Sequence, residues 1–174
     1  MTKKIIQYQG KYIRLETEDY DGVTLEKAYF LPSVHVFPIT SDGKILLISE
    51  KRWENDQKIK LMIPSGIMDE PGESPEHAAL RELEEEIGYT TKESLELFYK
   101  WEEKGTINDE RYYFIARNVE TVTGSGIESQ IDALVPMTID ELFDAVCSGA
   151  FGMSRSALAY LQLHNAVKNG KISL

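Results

Sequence analysis

Residues 66–89 read GIMDEPGESPEHAALRELEEEIGY, and the placing of the acids in this stretch decides how the rest of the chain is read. Ser74 can cap a helix N-terminus, and Pro75 suits the first helical position, whose N–H has no partner inside the helix. Gly88 can adopt the left-handed conformation that ends it. Between these signals Ala79, Leu80, Leu83 and Ile87 recur at helical spacing and predict one apolar stripe. The other side carries Glu82, Glu85 and Glu86, with Glu84 between them. At about 100° per residue, Glu82 and Glu86 lie roughly 40° apart, with Glu85 about 60° from Glu82 on the other flank.

Such crowding has a cost, because like charges at i,i+4 destabilise a helix by roughly 0.2–0.5 kcal/mol per pair. Acidic helix faces are commonly no more than solvated surfaces. Two features set this one apart. Arg81 is the only Lys or Arg between Asp69 and Ile87, and a Pro-Gly-Glu turn brings one more acid, Glu73, to the N-terminal end. Hard divalent cations such as Mg²⁺ take carboxylate and carbonyl oxygens and would relieve the repulsion.

Gly72-Glu73, seven further residues and then Arg81-Glu82-Leu83-Glu84-Glu85-Glu86-Ile87-Gly88-Tyr89 resemble the signature of the Nudix hydrolases, G-x5-E-x7-R-E-U-x-E-E-x-G-U with U apolar. The match runs from the first Glu onward, with Tyr89 a loose fit at the last apolar position. The departure is at the front: Gly66 precedes Glu73 by seven positions, and Ile67 stands where the family has Gly. This reads as a one-residue enlargement of the loop Gly66–Gly72.

The 174 residues suffice for one domain, or one domain with a short extension, around a proper core. A net charge of −10 argues against a non-specific polyanion-binding surface, so a nucleic-acid partner is not expected. A small phosphorylated substrate can still bind if metal ions intervene. The single Cys147 excludes an intrachain disulfide, suits a reducing cytoplasm, and is expected to be a small buried hydrophobe. Met-Thr-Lys-Lys is followed by no apolar run long enough for a signal peptide or membrane helix.

Residues 1–33 read as β-structure through Ile5-Ile6, Tyr12–Leu15 and Val23–Phe30, with Asp21-Gly22 a strong hairpin turn. Such a segment cannot bury both its faces alone. Residues 34–174 form the remaining unit. Val34–Ile39, a turn at Ser41-Asp42-Gly43, Lys44–Ser49 and Lys60–Ile63 predict strands, the run Ile45–Ile48 being one covered on both faces. Ser94–Glu102 and Arg111–Ala116 predict two more, joined by a loop over Gly105–Glu110. Trp101, Tyr112 and Tyr113 are candidate stacking surfaces for a base, with core positions expected for at least two of them. A strand over Asp132–Met137 precedes a helix capped by Thr138 and running to Gly149, and a last helix spans Ser154–Val167 with Leu158, Leu161 and Leu163 largely buried. The glycine-rich stretch Val122–Ile131 is expected to be mobile.

His35, His77 and His164 lack ligand spacing and are read as structural or exposed. No Ser-His-Asp or Cys-His arrangement supports covalent catalysis, and no G-x-x-x-x-G-K-[ST] loop points to a motor or kinase.

What the family resemblance implies goes further. The fold would be α/β, a Nudix-type α/β/α sandwich with a mixed central sheet and an N-terminal β extension over residues 1–33. Enzymes similar to the ADP-ribose pyrophosphatases use such an extension to pair subunits, which implies a homodimer. The reaction would be hydrolysis of the pyrophosphate in ADP-ribose, a nucleotide sugar or another nucleoside diphosphate derivative. Mg²⁺, with Mn²⁺ as a substitute, would be held by Glu82, Glu86 and the adjacent Glu85. Glu73 would pair with Arg81 and orient Glu82. In this branch a Gln-aromatic-Arg run lies where this chain has Glu50-Lys51-Arg52, so Arg52 takes the substrate-facing position while Glu50 and Lys51 depart from the pattern. The branch also has Pro-Gly where Lys104-Gly105 stands, which keeps nucleotide sugars as open as ADP-ribose. A loop Glu serves as general base or added metal ligand in similar enzymes, and Glu128 is the only carboxylate between Val122 and Ile131. Two alternatives stand beside this reading: a Nudix-like sensor that binds a nucleotide sugar without turnover, and an isoprenoid diphosphate isomerase, which calls for a reactive Cys near the cleft.

Overall fold

The fold was analysed in a computed structural model that describes residues 4–51, 59–151 and 154–174. The N-terminal strands β1 (Lys4–Gln9), β2 (Ile13–Tyr20) and β3 (Val23–Phe30) form an antiparallel meander. Its second turn holds both Asp21 (φ 53°) and Gly22 (φ 80°) in the left-handed region, the geometry that an Asp-Gly pair supplies to a two-residue hairpin.

The meander does not stand apart. A long strand, β10 (Ile107–Ala116), pairs in parallel with β3 at Ile107↔Ala28 and Asn108↔Tyr29. It then passes to β4 (Ser33–Pro38), again in parallel, from Arg111↔Ser33 to Ala116↔Pro38. On its other edge lies β9 (Glu96–Glu103), antiparallel, and the far edge of β4 takes the short β7 (Ser65–Ile67), also antiparallel. The mixed sheet therefore runs β1-β2-β3-β10-β4-β7, with β9 beside β10. A second sheet is antiparallel, β12 (Ile131–Met137), β5 (Ile45–Lys51) and β6 (Ile59–Met62). The pair β8 (Tyr89–Thr90) and β11 (Glu120–Thr121) completes the strands.

Helices cover both faces. Ala78, Ala79, Leu83 and Ile87 of α1 (Pro75–Ile87) pack in one core with Val34, Val36, Leu46, Ile48 and Phe114. Leu142 of α2 (Ile139–Cys147) and Ala159, Tyr160 and Leu163 of α3 (Ser154–Lys168) pack in a second core with Phe37, Ile45, Leu47, Tyr113 and Ile115. Alternate residues of β4, β5 and β10 go to opposite cores, as the two-residue repeat of a strand requires. This is the α/β/α sandwich with a mixed sheet, and the run Ile45–Ile48 is buried on both faces as its lack of alternation suggests.

Several sequence expectations need correction. Residues 107–110 are strand and not loop, because the free edge of β3 draws Ile107 and Asn108 into the ladder. Leu158 (40% exposed) and Leu161 (37%) face outward; Ser156, Ala159, Tyr160 and Leu163 carry the buried side of α3. Cys147 is exposed at the end of α2, beyond the reach of the core packing. As expected for at least two of the aromatic candidates, Tyr113 lies wholly in the core, stacked on the buried His35 at 4.6 Å, and Trp101 packs against the same core. His35 is held neutral, its pKa lowered to about 3 by burial and then by the nearby Arg111 charge.

Candidate active site

The acidic helix folds as its end signals dictate. The Ser74 hydroxyl accepts from the His77 N–H (3.2 Å), Pro75 opens the first turn, and Gly88 closes the last at φ 69° with its N–H donated to the Glu84 carbonyl. The apolar stripe packs in the core with β4 and β5, while Glu82 and Glu86 lie against the backbone of β7 and the stretch 122–131 bonds to the end of α1.

At the N-terminal end Arg81 organises the acids. Its Nε and Nη2 donate to the two oxygens of Glu73 (3.0 and 3.2 Å), a fork-to-fork pair with Glu73 only 2% exposed. Its Nη1 donates to Glu82 Oε1 (2.7 Å) and Glu85 Oε2 (2.9 Å). The guanidinium is raised above its ordinary pKa, chiefly by the Glu73 bond, and is permanently charged. Glu85 is 59% exposed, so its bond to Arg81 is a solvent-screened one.

Toward the other end the balance reverses. Glu86 accepts one bond, from the Ser65 backbone N–H (2.8 Å), and its carboxyl is pushed up to about 8 by burial, with the charges of Glu82, Glu128 and Glu50 adding to the effect. Glu82 is raised too, again mainly by burial, with Arg81 opposing.

Gly66 makes this closeness attainable. A Cβ there would stand 1.9 Å from the Glu82 carboxyl carbon, so Glu82 lies directly against the β7 backbone. The sequence pattern suggested an enlarged loop beginning at Gly66. Instead Gly66 sits inside a strand, opposite Val34, and its missing side chain is the space that Glu82 occupies.

The stretch expected to be mobile is tethered to the end of α1. The Val122 N–H donates to the Gly88 carbonyl (2.8 Å), the Glu128 N–H to the Glu86 carbonyl (2.9 Å), and the Ser125 hydroxyl to Glu84 Oε1 (3.2 Å). The Glu128 carboxylate itself is exposed and accepts from Gln130. Arg52 lies outside the described residues. His77 sits beside Glu73 at the helix start and His164 beside Asp140 of α2, both apart from the cleft. Cys147 belongs to the α2–α3 layer, on the side of the sheet away from α1, which removes the feature an isomerase reading needs.

Sequence reasoning passed over Glu50. It lies on β5, only 6% exposed, and its charge bears on Glu86. The signal was available: two residues after Ile48, it falls on the strand face that packs against α1.

The donors are hard carboxylate oxygens, partly buried and mutually repelling, a set that suits a hard divalent cation. Among the described residues no three His, Cys, Asp or Glu side chains close into a ready cage in this arrangement, in which Arg81 holds Glu82 and Glu85.

The NUDIX domain profile matches residues 30–152. The chain is 29% identical over 173 residues to ADP-ribose pyrophosphatase of Bacillus subtilis (strain 168), covering 94% of this chain and 92% of that protein. It is 28% identical over 172 residues to Methanol dehydrogenase activator of Bacillus methanolicus, covering 93% and 91%. The crystal structure of an ADP compounds hydrolase superposes with a TM-score of 0.77 over 98% of this chain and 95% of that one; at 21% identity this likeness speaks for the fold. No helix among the described residues is long and apolar enough to cross a membrane. With the profile spanning most of its length and the signature acids in place, this chain belongs to the NUDIX domain family and is a Nudix hydrolase.

Proposed function

We propose that the protein hydrolyses the diphosphate bridge of a nucleoside diphosphate derivative, of the ADP-ribose or nucleotide-sugar class, with Mg²⁺ as cofactor and Mn²⁺ as substitute. Water adds to one phosphorus as the bridging P–O bond breaks, giving a nucleoside monophosphate and a sugar phosphate. The observation that carries the reading is the state of Glu86: a buried carboxyl among three other acids, answered only in part by the Ser65 N–H. Similarity to an ADP-ribose pyrophosphatase along nearly the whole chain supports the substrate class.

A bound divalent ion supplies charge neutralisation on the diphosphate and lowers the pKa of a bound water. Glu82 and Glu86 are the principal ligands in this reading, with Glu85 beside them. Arg81, clamped to Glu73, positions Glu82. Glu128 takes the proton of the attacking water; its backbone bond to Glu86 keeps its loop at the cleft. Arg52 as a phosphate contact rests on the sequence resemblance alone.

The extension at residues 1–33 serves, on this reading, to pair two copies. It exposes Ile6, Tyr8, Tyr12, Leu15, Tyr20 and Val23, an apolar surface that a second copy would cover. Incubation with Mg²⁺ and a panel of ADP-ribose, nucleotide sugars and dinucleoside diphosphates, followed by chromatography, tests the chemistry. One member cleaved to a monophosphate and a phosphorylated partner is the expected result. Retention without product would favour the sensor reading instead.

A further inference from the structure

We propose that Lys11 is a positioning residue for the candidate site: from the first turn of the amino-terminal meander it anchors, through Asp69, the connection between β7 and α1. The role presupposes the hydrolysis described above and gives it a residue that lies outside the family signature.

Residues 68–74 join β7 to α1, and the site is built at both of their ends. At one end Gly66 lies against the Glu82 carboxyl and the Ser65 N–H donates to Glu86. At the other Glu73 takes the Arg81 fork, and Arg81 in turn holds Glu82. Slack between these ends is therefore slack in where Glu82 stands. Gly66 precedes Glu73 by seven positions here, one more than the signature has, so there is extra backbone to fix.

The first half of the connection is fixed by three contacts. The Met68 N–H donates to the Pro32 carbonyl (2.9 Å), and the Asp69 N–H turns back to the Ile67 carbonyl (3.0 Å). Asp69 Oδ2 then meets Lys11 Nζ at 3.0 Å, a bridge from the meander into the connection. Lys11 is placed to act as an anchor. Its turn is closed by the Gly10 N–H on the Ile13 carbonyl (2.9 Å), and the Leu31 N–H, next to Pro32, donates to the Tyr12 carbonyl (3.3 Å). Its ammonium lies over the Tyr12 ring, 4.6 Å from the centroid. Turn, ring and carboxylate together restrain one lysine, which lessens the entropy lost in forming the bridge. With Lys11 66% and Asp69 34% exposed, water still screens the pair, so its loss should loosen the connection without unfolding it.

The test compares Lys11→Met, which keeps the stem over Tyr12 and removes the charge, with Asp69→Asn, the double variant and Lys27→Met. Lys27 pairs with Glu18 within the meander and controls for the loss of a bridge that stays inside it. Hydrogen exchange over residues 66–73, read by mass spectrometry without substrate, should quicken about threefold in Lys11→Met and Asp69→Asn and keep the wild-type rate in Lys27→Met. With the diphosphate of the panel that is cleaved, kcat should fall about threefold in each of the two, at unchanged KM. The double variant should fall no further, since both changes remove one bond. Lys11→Glu should be worse than Lys11→Met, and adding Asp69→Lys to it should restore kcat to within about twofold of wild type. Unchanged exchange in Lys11→Met, additive losses in the double variant, or a Lys27→Met that behaves like Lys11→Met overturns the proposal. A panel with no member cleaved overturns the hydrolysis reading and the role of Lys11 in it, while the exchange rates still decide whether the anchor exists.

Discussion

Glu73 and Glu86 are both withdrawn from water, thirteen residues apart on the two ends of one helical segment, yet they are compensated in opposite ways. Glu73 meets both arms of a guanidinium, so its charge is settled within the chain. Glu86 has one main-chain N–H, and burial together with the charges of Glu82, Glu128 and Glu50 pushes its carboxyl up to about 8. A helix that had to be merely stable would not be built this way. The first pair fixes the scaffold, and on the proposed reading the second leaves a deficit for a cation to fill.

The contrast can be broken at either end, and the largest effect is expected at Glu86. Glu86→Gln keeps the volume and the bond from Ser65 but removes the charge, and turnover should fall by roughly 10³-fold while the circular dichroism of the folded protein is unchanged. Near-normal turnover would count heavily against the mechanism. Arg81→Ala strikes the settled end. It leaves Glu73 buried without its counter-ion and should cost about 3 kcal/mol in urea unfolding, because breaking one side of a buried pair is worse than lacking the pair. Gly66→Ala is predicted to leave the fold intact, since the atoms in its way are the flexible end of Glu82. It should displace that carboxylate and weaken Mn²⁺ binding by about tenfold, measured by calorimetry.

A smaller effect follows from the proton. Without metal, the folded protein holds a proton on Glu86 up to about pH 8, whereas an unfolded chain releases it near the ordinary 4.5. The native state therefore binds more protons through that window, and this group's contribution to stability falls as pH rises through it and levels off above. Melting of chelated protein should drop by roughly 5 °C between about pH 5.5 and 8.5, and Glu86→Gln or saturating Mg²⁺ should flatten the slope. A level Tm in the chelated wild type would show Glu86 to be ionised and compensated after all.

The limits of α1 were legible because they are local: a cap, a proline and a left-handed glycine act within one turn, and all three do so in the structure. The pairing of Glu73 with Arg81 was legible only through the family signature, since nothing in the spacing alone brings them together. Glu50 was hidden by its surroundings. A strand buried on both faces shows no alternation, so an acid at its end looks like the start of a loop, and only the packing of Leu46 and Ile48 tells which face it shares. Gly66 was found but placed at the start of a loop, because its strand pairing shows only in the β7 register with β4. The outward turn of Leu158 and Leu161 has a similar cause. On α3 the smaller Ser156 and Ala159 fit the close approach to Tyr113 and the sheet, and bulk hydrophobicity does not report fit.

The long strand β10 has one more implication. Its first residues lie along the amino-terminal meander and its last along the strand next to the acid-bearing core, so a single extended segment is a member of both halves. Cutting the chain before Ser33 would not release a tidy module; it would strip the neighbour from Ile107 and Asn108 and leave raw main-chain donors and acceptors on a sheet border. Shortened versions of this enzyme should thus clump before they lose chemistry, and the front segment acts as a sheath for that border whatever else it joins.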